Sequence, residues 1–487
     1  MAADSDPSRM KSEMNSEPRE PAPAFDAERF RQEGRCVVDW IADYWQSLAE
    51  KPVQSLVEPG WVRSQLPPHA PEQPESLAAV LDDLDRVVMP GLTHWQHPGF
   101  FAYFPASASG PSILGELLAA GLGVQGMLWA TSPACTELET HVLDWLRELL
   151  GLPERFASFG AGGGVIQDSA SSGLLCAVVA ARDRVVGDDP HPRPLVAYTS
   201  VAAHSSVEKG LGIAGIGRQH LRKIATDVRG RMDADALAAA MDADALAGKI
   251  PFFVAATVGT TASGAFDPVP AIAAAARRHA AWLHVDAAWA GAAAICPEFR
   301  DSILAGAGSA DSWGFNPHKW LLVNFDCHTL WVADRGPLIR ALSMKPDYLR
   351  NAASESGAVI DYSDWQVPLG RRFRALKLWM TLRMIGADAL RQRIRDHVAW
   401  AAAFAEWVRN DPRFDLLSPP SLSLVCFAPR AGDDAATALL DRVNAGGRVF
   451  LSSGLVAGRR ALRLAIGGPL TRREDVETAW QELTKLV

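Results

Sequence analysis

From Phe25 to about Ala49 the apolar residues fall at helical spacing (Phe30, Cys36, Val37, Trp40, Ile41, Tyr44, Trp45, Leu48), leaving one broad apolar stripe. A stripe that wide predicts a partner surface. Residues 52–76 are rich in proline and read as linker, and residues 77–88 predict a short helix ahead of a turn at Pro90 and Gly91. Between about 135 and 330, helical patterns alternate with short β-rich runs, namely LVAYTS (195–200), PFFVAATV (251–258), WLHVD (282–286) and HTLWVA (328–333). That alternation predicts an α/β domain whose mostly parallel sheet is covered by helices. After a basic helix over about 373–384 the order becomes helix, strand (LSLVCFAP, 422–429), helix, strand (ALRLAI, 461–466), which predicts a smaller α+β domain. The duplication MDADALAAA (232–240) and MDADALAGK (241–249) lies inside one Ala-rich helical region and is too short for a repeat architecture.

The 487 residues exceed one ordinary core and divide, on this reading, into a disordered tail (1–24), an N-terminal helical segment (25–100), a large domain (101–375) and a small C-terminal domain (376–487). The tail is rich in Ser, Pro, Glu and Arg and lacks the apolar core of a signal peptide. No run of 18 apolar residues suggests a membrane span. With 48 basic and 56 acidic residues the formal charge is −8, and no long Lys/Arg block offers a phosphate-tracking surface, so nucleic-acid binding is not expected. Six scattered cysteines without a C-x-x-C pair suggest neither a disulfide framework nor a metal site, and fit a cytoplasmic setting.

Two stretches match G-x-G-x-x-G, GLGVQG (121–126) and GLGIAG (210–215), but both follow helical patterns where a dinucleotide turn requires a strand. FGAGGGV (159–165) lacks the G-K-[ST] ending of a nucleotide-gripping loop. More chemistry lies in NPHKWLLVNFD (316–326), where Lys319 is flanked by His318 and an apolar run. Desolvation and a neighbouring histidine disfavour a charged amine, which then becomes a nucleophile near neutral pH. A snorkelling structural lysine is the plain alternative. Three further features fall at strand ends. Asp286 closes WLHVD, His204 follows LVAYTS, and Gln167 to Ser172 open a helix whose free N–H groups make a phosphate seat. Each has an ordinary structural reading as a cap or a packed side chain. Together, an imine-forming lysine, a strand-end acid, a stacking histidine and a phosphate cradle describe what pyridoxal phosphate requires.

On these residues the chain resembles the aromatic-L-amino-acid decarboxylases, the group II pyridoxal-phosphate enzymes that share the fold of aspartate aminotransferase (fold type I). The resemblance runs from about Phe25 to the C-terminus through THWQHPGFFAYFP (93–105), SPACTELET (132–140), IPFFVAATVGTT (250–261), ADSWGFNPHKWLLVNFDC (310–327) and DYSDWQVPLGRRFRALK (361–377). It implies that Lys319 holds the cofactor, that Asp286 partners its pyridinium nitrogen, and that His204 stacks on the ring beside the substrate carboxylate. It further implies a phosphate seat of Ser169, Ala170 and Ser171 helped by His318 and Asn316, with Thr261 and Ala288 completing the cofactor contacts. KPDYLR (345–350) matches a mobile loop whose tyrosine, here Tyr348, returns a proton to the substrate carbon, and the small, polar residues 351–357 suit its motion. Aldehyde-forming relatives typically replace that tyrosine or the histidine; both are present here, so amine formation is expected.

The resemblance also implies a substrate pocket of Trp95, Tyr103, Phe104, Pro105, Ala106, Met127, His204 and Gly370. Ala106 replaces a hydroxyl residue common in the family, and Gln125 and Met127 stand where animal relatives carry larger groups. Gly370 matches a position where plant members carry Gly for indolic and Ser for phenolic substrates, which tilts the expectation toward tryptophan or its 5-hydroxy derivative. Arg463 reads equally as a carboxylate contact or a structural residue. The N-terminal stripe is expected to wrap a second subunit in a homodimer with active sites at the interface. An aldehyde synthase, a decarboxylase of another amino acid such as histidine, and a non-catalytic dimeric scaffold are the alternatives.

Overall fold

The computed structural model describes residues 25–187, 189, 194–344 and 352–487, so the predicted tail over 1–24 and Tyr348 lie outside the described residues. The chain divides into two compact units, one reaching Lys51 and resuming over Leu56–Gly91, the other comprising Pro52–Ser55 and Leu92–Val487.

In the first unit the helix Ala27–Ser47 starts at Asp26, whose carboxylate accepts the Glu28 and Arg29 N–H groups at 2.9 and 3.0 Å. None of its residues is buried, and Phe25 and Phe30 are exposed. Of the predicted apolar stripe, Leu48, just past the helix, is buried, Val37, Trp40, Ile41, Tyr44 and Trp45 are half-buried, and Phe30 and Cys36 are exposed. The helix Leu77–Asp83 begins at Ser76 and continues as a wider turn to Val88, and the Trp40 indole donates to Asp85 at 3.1 Å.

The second unit holds both sheets. Its strands are β1 (Gly163–Gln167), β2 (Leu195–Ser200), β3 (Leu221–Ile224), β4 (Ile250–Thr257), β5 (Trp282–Asp286), β6 (Ser312–Phe315), β7 (His328–Val332), β8 (Phe414–Leu416), β9 (Leu424–Pro429), β10 (Ser452–Val456) and β11 (Arg459–Ala465). Seven form one sheet in the order β1-β7-β6-β5-β4-β2-β3. Pairings from β3 to β6 are parallel, while β7 runs antiparallel to both neighbours. Near-complete burial along β2, β4 and β5 fits strands covered on both faces, which explains their unbroken apolar runs. Because β2, β4, β5 and β6 are parallel, their carboxyl ends open at one edge, where ligands of such sheets bind. The other four strands make an antiparallel sheet, β10-β11-β9-β8.

The glycine-rich stretch rejected as a nucleotide loop turns out to lead into β1. A Cβ on Gly162 would lie 2.2 Å from the Arg155 carbonyl oxygen, so close backbone packing demands the glycine. The duplicated MDADAL segment forms a single helix, Ala234–Leu246. All six cysteines are free thiols. Among the described residues no helix is long and apolar enough to cross a membrane.

Candidate active site

The open edge of the sheet collects the residues singled out above. β5 ends on Asp286, whose Oδ1 accepts the Ala288 N–H at 3.0 Å, and the Ala288 carbonyl accepts the Asn316 N–H at 2.8 Å. Asn316 follows β6 and caps the single turn Pro317–Trp320, where proline fits because that position needs no donor. The turn carries His318 and Lys319. Lys319 keeps part of its surface open, yet burial lowers its pKa; the charge of Asp286 opposes that fall and Arg463 adds to it. His318 accepts the Cys327 N–H on Nδ1 at 2.9 Å, and burial followed by Lys319 pushes its pKa down to about 3. It is neutral, with its proton on Nε2.

His204 stands just beyond β2. Its Nδ1 accepts the Ser206 N–H at 3.1 Å, which leaves Nε2 to carry the proton. With Tyr103, Thr261 and Arg463 it lines a cavity of about 640 Å³. Arg463 is 4% exposed and donates to the Ala262 carbonyl (3.1 Å), the Ser452 hydroxyl (2.8 Å) and the Tyr103 carbonyl (3.1 Å). Among the described residues no carboxylate pairs with it. A buried guanidinium held only by neutral acceptors leaves a positive charge to be balanced by something else.

β1 leads through Asp168 to Ser169, the N-cap of the 17-residue helix Ala170–Val186, where the Ser169 hydroxyl accepts the Ser172 N–H at 3.3 Å. Ala170 and Ser171 occupy its first turn, whose N–H groups lack intrahelical acceptors and favour an anion.

The aromatic residues separate. Phe104 is packed, stacked on Trp289 at 4.8 Å and edge-on to Trp320 at 5.4 Å, beneath the turn that carries Lys319. Trp95 and Tyr103 are exposed and stack on each other at 5.7 Å. Pro105 is buried, and the Ala106 carbonyl accepts the Gln96 amide at 2.7 Å. Gln125, Met127 and Gly370 gather apart from the cavity lining. Gln125 Oε1 accepts the Arg371 N–H at 2.6 Å, a Cβ on Gly370 would lie 3.2 Å from Gln125 Nε2, and the Met127 carbonyl accepts the Ser363 N–H at 3.0 Å.

Sequence reasoning missed several supports of this site. Glu139 and Arg371 form a fully buried ion pair at 2.7 and 2.9 Å; the Ile166 N–H donates to Glu139, and Arg371 donates to the Ile166 carbonyl, tying the PLGRRF stretch to β1. Ser107 donates its N–H to the His318 carbonyl at 2.7 Å, and its hydroxyl accepts the Leu322 N–H at 3.1 Å. His328, at the first position of β7, touches Asn316. The sequence carried no local signal for Glu139 or Arg371, which sit in polar stretches far apart in the chain, whereas His328 is a polar residue opening the apolar run HTLWVA.

The model of the pyridoxal-dependent decarboxylase conserved domain matches residues 59–430. The chain belongs to this family, among the aromatic-L-amino-acid decarboxylases of group II. It is 47% identical to a phenylacetaldehyde synthase of Arabidopsis thaliana over 94% of this chain and 95% of that one. It is 43% identical to the aromatic-L-amino-acid decarboxylase of Mus musculus, over 95% and 98%. The crystal structure of Oryza sativa TDC with PLP and tryptamine superposes with a TM-score of 0.93 at 40% identity, covering 96% of this chain and 99% of that chain. The fold is that of fold type I, and the cofactor of this decarboxylase is pyridoxal 5′-phosphate. The donor set suits that group, with a desolvated amine for the aldehyde, a strand-end carboxylate for the ring nitrogen and a helix N-terminus for the phosphate.

Proposed function

We propose that this decarboxylase converts an aromatic L-amino acid into the corresponding amine and CO2, with an indolic ring slightly preferred. The observation that carries the reading is Lys319, a desolvated amine within the electrostatic reach of Asp286 at the carboxyl edge of the sheet. Bound pyridoxal phosphate supplies an electron sink for the pair left when CO2 departs. Lys319 would supply the amine that holds the cofactor. Asp286 would keep the pyridine nitrogen protonated, and Ser169, Ala170 and Ser171 would seat the phosphate with His318 and Asn316. His204, with Nδ1 taken by the Ser206 N–H, would stack on the ring beside the substrate carboxylate, and the buried guanidinium of Arg463 would offer that carboxylate a countercharge. Thr261 and Ala288 would complete the cofactor contacts, and Tyr348, which lies outside the described residues, would return the proton to the substrate carbon.

The aromatic class is supported by the relatives' names and by the exposed ring pair Trp95 and Tyr103; Phe104, Pro105, Ala106 and Met127 remain part of the proposed substrate pocket. The indolic preference is supported by Gly370 and by the tryptamine in the Oryza sativa structure. A second reading, in which O2 and water are consumed and the aldehyde, CO2, ammonia and hydrogen peroxide are released, is favoured by 47% identity to a phenylacetaldehyde synthase. Incubating cofactor-loaded protein with tryptophan, 5-hydroxytryptophan, tyrosine, DOPA, phenylalanine, histidine and glutamate, and identifying products by mass spectrometry, separates the two. An aromatic amine supports the first reading, an aldehyde the second, and no product from any of them removes both.

We also infer a homodimer with the site completed by the partner. Leu114, Leu117, Leu118 and Leu122 are exposed along one face of the helix Gly110–Leu122, and no residue of the helix Ala27–Ser47 is fully buried. Leu118→Glu is expected to shift the protein to monomer on sedimentation and to remove activity; an active monomer would contradict the assembly.

A further inference from the structure

His328 is 1% exposed and belongs to none of the roles assigned above. It opens β7, opposite Gln167 of β1, and its ring fills a slot shaped by two glycines. A Cβ on Gly173, in the first turn of the helix Ala170–Val186, would lie 2.5 Å from Nε2, and a Cβ on Gly314 in β6 would lie 2.8 Å from Cε1. Nδ1 is 2.6 Å from Asn316 Oδ1, whereas Nε2 is buried without a hydrogen-bond partner among the described residues. The ring is thus wedged between the helix that would seat the phosphate and the asparagine that caps the turn of Lys319.

Its protonation follows from these neighbours. Burial holds the imidazole far below its ordinary pKa, and His318, His284 and Lys319 push the same way, so the ring is neutral and carries one proton. That proton belongs on Nδ1, which faces a carbonyl oxygen. A bare Nε2 lone pair then faces the positive end of the helix, where an N–H would be disfavoured. With its oxygen engaged by His328, Asn316 has only its NH2 left to donate.

We propose that His328 is a positioning residue for the cofactor phosphate, acting through Asn316: its Nδ1–H fixes the asparagine amide so that NH2, not oxygen, meets the phosphate. The proposal rests on the reading of Asn316 as a phosphate contact. Without the Nδ1–H the amide is free to turn end for end, and an oxygen presented to phosphate repels it.

Two substitutions separate positioning from filling. The amide nitrogen of Asn can take the place of Nδ1, while that of Gln reaches toward Nε2. Titrating apoprotein with pyridoxal phosphate and following the bound cofactor's visible absorbance, His328→Asn should bind within about threefold of wild type, and His328→Gln about tenfold more weakly, the loss of roughly one hydrogen bond. The apoproteins should melt at the same temperature, and His328→Gln should add nothing in an Asn316→Ala background. Equal affinity for the two variants, or a His328→Gln effect that persists without Asn316, overturns the proposal. Nitrogen NMR of ring-labelled wild type tests it without a variant, since a proton on His328 Nε2 would overturn it as well. Wild type that binds no pyridoxal phosphate would instead sink the cofactor reading on which it rests, and the proposal with it.

Discussion

Lys377, on the helix Arg374–Ile385, and Lys319, on the turn Pro317–Trp320, are both buried deeply enough that desolvation lowers their pKa values, in Lys377 to about 8. Their surroundings differ. Lys377 lies 2.7 Å from Glu116 and 4.0 Å from Asp326; Arg372 also reaches Glu116, and Arg374 holds Asp326 at 3.1 Å. Among the described residues no carboxylate comes within ion-pair distance of Lys319, although Asp286 is near enough for its charge to matter. A lowered pKa therefore does not mark a nucleophile. What distinguishes Lys319 is that no paired carboxylate holds its ammonium form, so it can lose its proton and present a lone pair, whereas Lys377 is clamped into a charge cluster that braces the loop after Lys319.

The comparison breaks most visibly at Lys319 itself. Lys319→Ala is expected to lower turnover by at least about 10³-fold and to remove the visible absorbance of the bound cofactor. A smaller loss, measured as kcat on the best substrate, would show that another amine can serve. Gly370→Ser sharpens the contrast between buried chemistry and the exposed surface around Gln125. It should leave cofactor absorbance unchanged while shifting kcat/KM between tryptophan and tyrosine by about tenfold toward tyrosine. An unchanged ratio would remove Gly370 from specificity.

Lys377→Met carries the smallest expected effect, with turnover within about threefold of wild type and the cofactor retained, as suits a bracing residue. Its signature is in stability against pH. The folded pKa of Lys377, about 8, lies below its unfolded value near 10.4, so between those pH values the unfolded chain binds more protons and wild-type stability should gain with pH. The variant should lack that gain, which urea unfolding at about pH 8 and pH 10 would read directly. Parallel curves for the two proteins would mean that Lys377 is not titrating as its burial implies.

The parallel core was legible because buried strands carry unbroken apolar runs: LVAYTS is β2 and WLHVD is β5, ends included. β3 and β6, four residues each, are too short to show a period, and β1 was hidden inside a glycine-rich stretch that resembled a loop. Asp286, His204 and Lys319 were visible because parallel strands deliver their ends to one edge. Glu139, Arg371 and His328 were not, since their roles arise from contacts between segments far apart in the chain, which no local pattern encodes. Phe104 and Tyr103 are adjacent in sequence, yet one stacks on Trp289 and the other, at a positive φ, lines the cavity.

The central claim is that Lys319, and not the other desolvated lysine, holds the cofactor. Reducing the cofactor-loaded protein with borohydride, digesting it and locating the pyridoxyl group by mass spectrometry tests that claim most directly. The account predicts the adduct on the peptide containing Lys319; an adduct on Lys377, or on no lysine at all, would contradict it.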